Sequence, residues 1–398
     1  MKKLSICTAC IMTFAFSVSL FAFSPPPPEP ENTDIFDNYV AIGDSLTHGF
    51  QSGSVDETRQ PFSYPARIAD KMAARFVQPL LKFPGFLVNI EDVGKGNIPW
   101  YKYYYPLVGG KRADGYKKQS QLNNFGITGA DVTTVLESKG SEGGFYKLVL
   151  GKDGASAIDQ AMRRDPTFMS MWVGNNDVLS CALWTDPSHL TPINEFRQKF
   201  AQLVDRVLSV SSLQGVAIAN VPDVCAIPYL EDANDPDVPY GSMKAFWNSS
   251  VSDNDEVLDP SEIATIRQGA RLINEEIRNV AVANGWAFID ANAAFDEMVM
   301  YGHALMRSGG NNTGRMVTTD YLGGVFSLDG VHPSVTGHAI AANFFIEAIN
   351  YTYDMNLELV DEYAASEKDT LYKNPYDPRR LINSWIGRAV QFVVELFI

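Results

Sequence analysis

The sequence predicts an α/β domain with a mainly parallel, five-stranded sheet that is covered by helices on both faces. Two observations predict this class: short apolar runs alternate with amphipathic stretches along the chain, and those short runs contain almost no polar residues. A strand that is buried on both faces has such a composition because neither face meets water. Alternating strands and helices favour right-handed crossovers, which place neighbouring strands parallel.

The predicted strands and helices follow one another along most of the chain. The strands are 39–42, 123–126, 168–173, 216–219 and 286–289, and the helices are 64–81, 131–136, 194–210, 261–283 and 333–349. The helix over 261–283 has the clearest 3.6-residue period, and Ser261 is its expected N-cap. Pro333 fits the first position of the last helix, where no amide donor is needed. Reactive groups are expected beyond the carboxyl ends of the strands.

Composition divides the chain into four parts. Residues 1–24 start with two lysines and continue as an apolar run, which is typical of a secretory signal peptide; a retained membrane anchor is the alternative. Residues 25–37 form a proline-rich spacer, and residues 38–355 hold the predicted domain. Residues 356–398 form a tail with an amphipathic helix that packs on the domain, binds a partner or contacts a membrane surface. We therefore expect an exported protein that is periplasmic, outer-membrane-associated or extracellular.

Composition also argues against several classes of function. The formal net charge is −15, and an acidic surface repels phosphate backbones, so no nucleic-acid partner is expected. The chain has no His-Glu-x-x-His sequence and no clustered cysteines outside the leader, so neither a metal nor another cofactor is predicted. A dinucleotide site is disfavoured because no Gly-x-Gly-x-x-Gly follows the first strand. Cys181 and Cys225 either form a disulfide or are two separate buried thiols.

Ser45 lies in the sequence Gly43-Asp44-Ser45-Leu46, directly after the first predicted strand. A serine in a tight turn between a strand and a helix is exposed above a helix N-terminus, and this position suits a nucleophile. The alternative is that Ser45 only caps a helix. His48 follows within one turn, where it either lines the mouth of a cleft or is a solvated helix residue.

A nucleophilic serine needs a base, and the chain has five histidines. Two of them follow an aspartate by three residues: His332 follows Asp329, and His189 follows Asp186. We prefer His332 because its pair lies in a turn just ahead of a predicted helix, whereas His189 lies in a loop. A carboxylate so close to an imidazole can hold its tautomer and stabilise the imidazolium that forms.

Two more turns follow predicted strands and contain hydrogen-bond donors. One is Gly126-Ile127-Thr128-Gly129-Ala130, and the other is Gly174-Asn175-Asn176-Asp177. The Gly129 amide and an asparagine side chain can both donate to a developing oxyanion, although each sequence is also a common turn.

These four segments, in this order, resemble the blocks of the SGNH or GDSL hydrolase family, and the resemblance covers residues 39–350. It implies a flavodoxin-like three-layer α/β/α sandwich. It also implies that Ser45 is the nucleophile, His332 the base and Asp329 the acid that orients it. The oxyanion hole would then consist of the backbone amides of Ser45 and Gly129 and the side chain of Asn176.

The resulting prediction is a serine esterase or lipase that needs no cofactor and cleaves small-molecule or lipid esters. Two long insertions, near 82–121 and 295–326, exceed the compact family pattern. Their aromatic and methionine residues favour lipid-like or aryl acyl groups. The sequence leaves open an acyltransferase or glycan O-deacetylase with the same triad, and a non-catalytic surface binding protein.

Overall fold

The structure is a computed structural model that describes residues 33–87, 89–95, 110–246 and 257–373. The predicted signal peptide, most of the spacer, the aromatic run at 100–105 and the amphipathic stretch at 381–398 lie outside the described residues. In the part of the chain that the structure describes, no helix combines the length and the apolar character needed to cross a membrane.

The centre of the domain is a five-stranded sheet. Its strands are β1 (Tyr39–Gly43), β2 (Asn124–Gly126), β3 (Phe168–Trp172), β4 (Gly215–Ala219) and β5 (Ala287–Ile289). The order across the sheet is β2-β1-β3-β4-β5, and all four pairings are parallel. This order is that of the flavodoxin-like doubly wound fold. The predicted fold class and its five strands are therefore confirmed.

Helices lie on both faces of this sheet and around its carboxyl edge. They are α1 (Ser45–His48), α2 (Tyr64–Lys71), α3 (Ile90–Gly94), α4 (Val132–Glu137), α5 (Gly144–Leu150), α6 (Ala157–Met162), α7 (Asn176–Leu183), α8 (Ile193–Leu208), α9 (Pro260–Asn284), α10 (Ala291–Tyr301), α11 (Val335–Tyr353), α12 (Glu362–Lys368) and α13 (Thr370–Lys373). Helices α2 and α11 cover one face, whereas α6 and α9 contact the strands on the other.

The residues of each strand alternate between two hydrophobic cores. Val40, Ile42, Met169 and Met171 belong to the core under α6, α8 and α9. Their neighbours Tyr39, Ala41, Phe168 and Trp172 belong to the core under α2 and α11. Side chains alternate in this way because successive residues of a strand point to opposite faces. Burial on both faces explains why the strand sequences are apolar throughout.

Antiparallel strands form two smaller sheets outside the central one. Leu230–Asp232, Met243–Ala245 and Val257–Leu258 form one, and His303–Met306 pairs with Asn312–Val317 in the other. The predicted second insertion thus contains most of α10 and this second hairpin. Helix α12, in the predicted tail, packs on α11, where the Asn343 side-chain amide donates to the buried Glu362 carboxylate over 2.8 Å.

Three predictions about helix ends are wrong. Helix α2 ends at Lys71 rather than at residue 81, because Ala73 adopts φ +52° and the Val77 amide then donates to Asn123 Oδ1 over 3.0 Å. The N-cap of α9 is Asp259 instead of Ser261, since its carboxylate accepts the first free amides of the helix. Pro333 precedes α11, whose N-cap is Ser334.

The two cysteines outside the leader are separate and buried. Cys181 lies within α7, and Cys225 lies in the segment after β4; both are free thiols. Of the two alternatives, the structure shows two separate buried thiols and not a disulfide.

Candidate active site

Three of the candidate residues, Ser45, Gly129 and Asn176, follow three neighbouring strands of the sheet. Ser45 is the first residue of α1, just after β1, and Asn176 is the first residue of α7, after β3. Gly129 lies in the turn after β2. Because β2, β1 and β3 are adjacent and parallel, these three turns lie side by side at the carboxyl edge.

The turn that carries Ser45 is fixed by the two residues before it. A Cβ atom on Gly43 would lie 2.3 Å from Thr47 Oγ1 and 2.5 Å from the Trp172 carbonyl oxygen, so only glycine fits there. Asp44 is the N-cap of α1, and its Oδ1 accepts the Leu46 amide over 2.9 Å. Close packing therefore requires glycine at position 43, and Asp44 caps the helix that begins at Ser45.

Ser45, His332 and Asp329 form a continuous row of hydrogen bonds. His332 Nε2 lies 2.9 Å from Ser45 Oγ, and His332 Nδ1 lies 3.0 Å from Asp329 Oδ2. A carboxylate only accepts hydrogen bonds, so it assigns the proton to Nδ1 and leaves Nε2 free to accept the serine proton. All three side chains are buried, and the Phe50 ring packs on the imidazole with ring centroids 4.5 Å apart.

The Asp329 carboxylate receives several hydrogen bonds in addition to that from His332. Gly53 donates its amide to Oδ2 over 2.9 Å, while Ser327 Oγ and the His332 amide donate to Oδ1 over 3.1 and 2.8 Å. Burial alone would raise the pKa of Asp329, but the charge of His332 and the hydrogen bonds from His332 and the Val331 amide outweigh it, and the pKa is lowered. Asp329 is thus kept as an anion next to the imidazole.

Asn176 and the Gly129 turn are joined to each other by a hydrogen bond. Asn176 Nδ2 donates to the carbonyl oxygen of Ala130 over 2.9 Å, and Gly129 adopts φ +80°, which favours glycine. The side-chain amide has a second N–H for another acceptor. The structure therefore places both predicted oxyanion donors at the turns that adjoin Ser45.

Sequence reasoning missed a contact between Asp44 and Asn175. Asn175 Nδ2 donates to Asp44 Oδ2 over 2.8 Å and so ties the serine turn to the turn that carries Asn176. Burial raises the pKa of Asp44 to about 6, although the Asn175 and Leu46 hydrogen bonds act against the increase. The sequence does contain a sign of this contact, because two asparagines follow β3 in succession. Asn175 bonds to the serine turn, and Asn176 bonds to the turn that carries Gly129.

His48 differs from both of the expectations for it, whereas His189 does not. His48 is fully buried, its Nδ1 lies 3.1 Å from Thr128 Oγ1, and burial with the nearby Arg112 charge lowers its pKa to about 3. Both readings of His48, as a cleft-mouth residue and as a solvated residue, are therefore wrong. His189 lies on the surface, 3.9 Å from Asp186, and its ring stacks on Trp184. Among the described residues, no cluster of histidine, cysteine or acidic side chains is arranged to hold a metal ion.

The fold and the buried row of serine, histidine and aspartate define an α/β protein of the hydrolase class. The sequence profile described as GDSL-like Lipase/Acylhydrolase matches residues 39–345, which is most of the chain. The chain belongs to this family and is an ester-hydrolysing enzyme.

Two solved structures are similar to this chain. The acetylxylan esterase Axe2 from Geobacillus stearothermophilus is 17% identical, with 78% of this chain and 93% of that chain covered at a TM-score of 0.37. The α/β hydrolase LAE5 from the metagenome of Lake Arreo, Spain, is 16% identical, with 80% and 95% covered at a TM-score of 0.38. No curated protein matches the chain.

Proposed function

We propose that the chain is an exported serine hydrolase that cleaves carboxylic esters through an acyl-enzyme on Ser45. The observation that carries the proposal is the row of hydrogen bonds from Ser45 Oγ through His332 to Asp329, at 2.9 and 3.0 Å. These distances lie within the range over which a general base takes a proton from a nucleophile. The export component rests on the composition of residues 1–24.

In the first step Ser45 Oγ attacks the ester carbonyl carbon while its proton passes to His332 Nε2. The carbonyl oxygen becomes an oxyanion, to which the amides of Ser45 and Gly129 and the Asn176 side chain donate. When the carbon–oxygen bond to the alcohol breaks, His332 gives its proton to the leaving alkoxide. Each oxyanion donor contributes about 10²–10³-fold in rate in enzymes of this kind.

In the second step a water molecule attacks the acyl carbon, and His332 takes a proton from that water. The tetrahedral intermediate collapses, the carboxylic acid leaves, and the same proton returns to Ser45 Oγ. Asp329 stays ionised throughout, since its hydrogen bonds and the His332 charge keep its pKa low. It stabilises the imidazolium that exists between the two transfers.

The acyl group is proposed to be lipid-like or aryl. The support comes from the composition of the two insertions and from apolar side chains of α10 and residues 325–333 near the candidate site. Such side chains gain free energy from hydrocarbon and offer no partner to hydroxyl groups.

The test is to replace Ser45 with alanine and to assay a short nitrophenyl ester. We expect kcat to fall on the order of 10⁶-fold, because the nucleophile is lost, and covalent labelling by a fluorophosphonate probe to disappear. Ser209→Ala is the control, since Ser209 is exposed on the surface and its hydroxyl donates to the Arg206 carbonyl oxygen at the end of its own helix. A Ser45→Ala enzyme that keeps most of its rate would remove Ser45 from the mechanism.

A further inference from the structure

A small apolar cavity adjoins the residues that hold Ser45 and His332. Leu46, the next residue after Ser45, forms part of its wall, and so do Val331 and Pro333, which flank His332 on either side. Helices α10 and α11 close the cavity with Met298 and Ala341, respectively. Ser45 and His332 do not themselves line the cavity, whose wall contains their immediate neighbours in the sequence.

The chemistry of the wall favours hydrocarbon. Every side chain that lines the cavity is apolar, apart from the Trp172 indole, whose Nε1 donates to the Asn220 carbonyl oxygen over 3.0 Å. A sugar or another hydroxyl-rich group would lose hydrogen bonds to water here without replacement, which costs free energy. A hydrocarbon gains free energy by leaving water at the same place.

A larger cavity on the neighbouring side of β4 has the opposite character. It has a volume of about 470 Å³, and most of its charged residues form ion pairs, such as Arg267 with Asp223 at 2.8 Å. Neither Leu46 nor the residues that flank His332 line it. Of these two cavities, the apolar one is therefore the one whose wall includes the sequence neighbours of Ser45 and His332.

The size of the apolar cavity limits what it can hold. Its volume is about 100 Å³, which is smaller than the roughly 150 Å³ of an engineered cavity that binds benzene. Since one water-sized atom occupies about 30 Å³ in a liquid, the space suits about three or four carbon atoms. A long acyl chain would need the wall to move.

We propose that this cavity binds the hydrocarbon part of a short acyl group, such as butanoyl, while its carbonyl carbon is bonded to Ser45 Oγ. This inference rests on the proposed function and narrows its substrate class to short apolar acyl esters. Met298, at the α10 side, and Ala341, at the α11 side, set the length of chain that fits. They are specificity-determining residues, and they take no part in the proton transfers.

The test is a series of nitrophenyl esters with acetyl, butanoyl and octanoyl groups. For the natural chain we expect kcat/KM to rise about fourfold for each methylene from acetyl to butanoyl, and to fall for octanoyl. Ala341→Leu fills the cavity, so we expect it to lose at least fivefold on butanoyl and less than twofold on acetyl. Met298→Ala lengthens the cavity and shifts the preference towards octanoyl.

Met300→Ala is the matched control, because Met300 lies on the same helix but is 66% exposed. It should leave the chain-length profile unchanged. The melting temperature of each variant is measured first; where Ala341→Leu does not fold, Met298→Ala decides alone.

Two failures can be told apart. Ester hydrolysis that survives Ser45→Ala contradicts the proposed function. If hydrolysis depends on Ser45, and folded Ala341→Leu and Met298→Ala enzymes keep the natural chain-length profile, the proposed function stands and the cavity assignment is overturned.

Discussion

The chain contains two pairs with the same spacing, Asp329 with His332 and Asp186 with His189, and the structure treats them differently. In the first pair the imidazole and carboxylate are buried and 3.0 Å apart. In the second both side chains are almost half exposed, and the closest distance is 3.9 Å. His332 also reaches Ser45, which lies 287 positions away in the sequence.

The difference shows that spacing alone does not make such a pair chemically useful. Water screens the exposed pair and competes for its hydrogen bonds, so the two side chains gain little from each other. The buried carboxylate accepts hydrogen bonds from Gly53 and Ser327, which hold it in one orientation. Asp329 and His332 form a candidate catalytic pair because they are buried, because fixed hydrogen bonds orient the carboxylate, and because His332 reaches Ser45.

Replacing each histidine in turn gives the largest expected effect and tests whether His332, and not His189, is the general base. We expect His332→Ala to lower kcat for a short nitrophenyl ester on the order of 10⁶-fold, because the general base is lost. His189→Ala should stay within twofold, since His189 lies on the surface. Both rates are measured on folded protein of matched circular dichroism. A dead His189→Ala enzyme would reverse the assignment.

A second prediction concerns Asp177, a buried carboxyl group that has no imidazole beside it in the described part of the chain, and tests how burial changes its pKa. Asp177 is also buried; its Oδ2 accepts the Val132 amide over 3.0 Å, and the Thr191 hydroxyl is a further hydrogen-bond partner. Burial, followed by the charge of Asp131, raises the pKa of Asp177 to about 7. Burial therefore raises the pKa of Asp177, whereas the charge of His332 prevents the same increase at Asp329.

The sign of the expected effect follows from this raised pKa. The folded state holds the Asp177 proton more tightly than the unfolded state, so the stability that it contributes is present below pH 4 and is lost as the pH rises towards 7. Asp177→Asn should therefore stabilise the fold relative to the natural chain by on the order of 3 kcal/mol above pH 7, and by little at pH 4.

Denaturant unfolding at several pH values measures this difference. Asp186→Asn is the control, because hydrogen bonds from Ser188 lower the pKa of the exposed Asp186. Its stability difference should be small and should not become more favourable as the pH rises. A pH-independent effect of Asp177→Asn would show that its carboxyl group titrates normally.

The sequence predicted the sheet well because strand burial is a local signal. Apolar runs predicted β1 and β3 to within one residue of their observed ends. The turns after the strands could be found for the same reason, since each predicted strand end points to the next few residues. The fold follows from these local signals and the topology rule. The choice of His332 as the partner of Ser45 came instead from the Asp-x-x-His spacing before a predicted helix and from the family resemblance.

Other features were missed because they depend on distant parts of the chain. Helix α2 stops at Lys71 since the following segment is held by Asn123, which no local pattern reveals. His48 packs inward against Phe145, with ring centroids 5.8 Å apart, although Phe145 lies in α5, far along the chain. The Asn175–Asp44 contact likewise joins residues that are 131 positions apart.

The smallest predicted effect compares one hydrogen bond in each of the two pairs. Ser327 Oγ donates to Asp329 over 3.1 Å, and Ser188 Oγ donates to Asp186 over 2.8 Å. Ser327→Ala removes a buried donor to a carboxylate and also leaves the Ser52 amide without its acceptor, so kcat should fall about tenfold. Ser188→Ala should leave kcat unchanged, since water replaces the lost donor at once. Equal effects of the two substitutions on kcat would mean that the Ser327 hydroxyl does not help to hold Asp329 for catalysis.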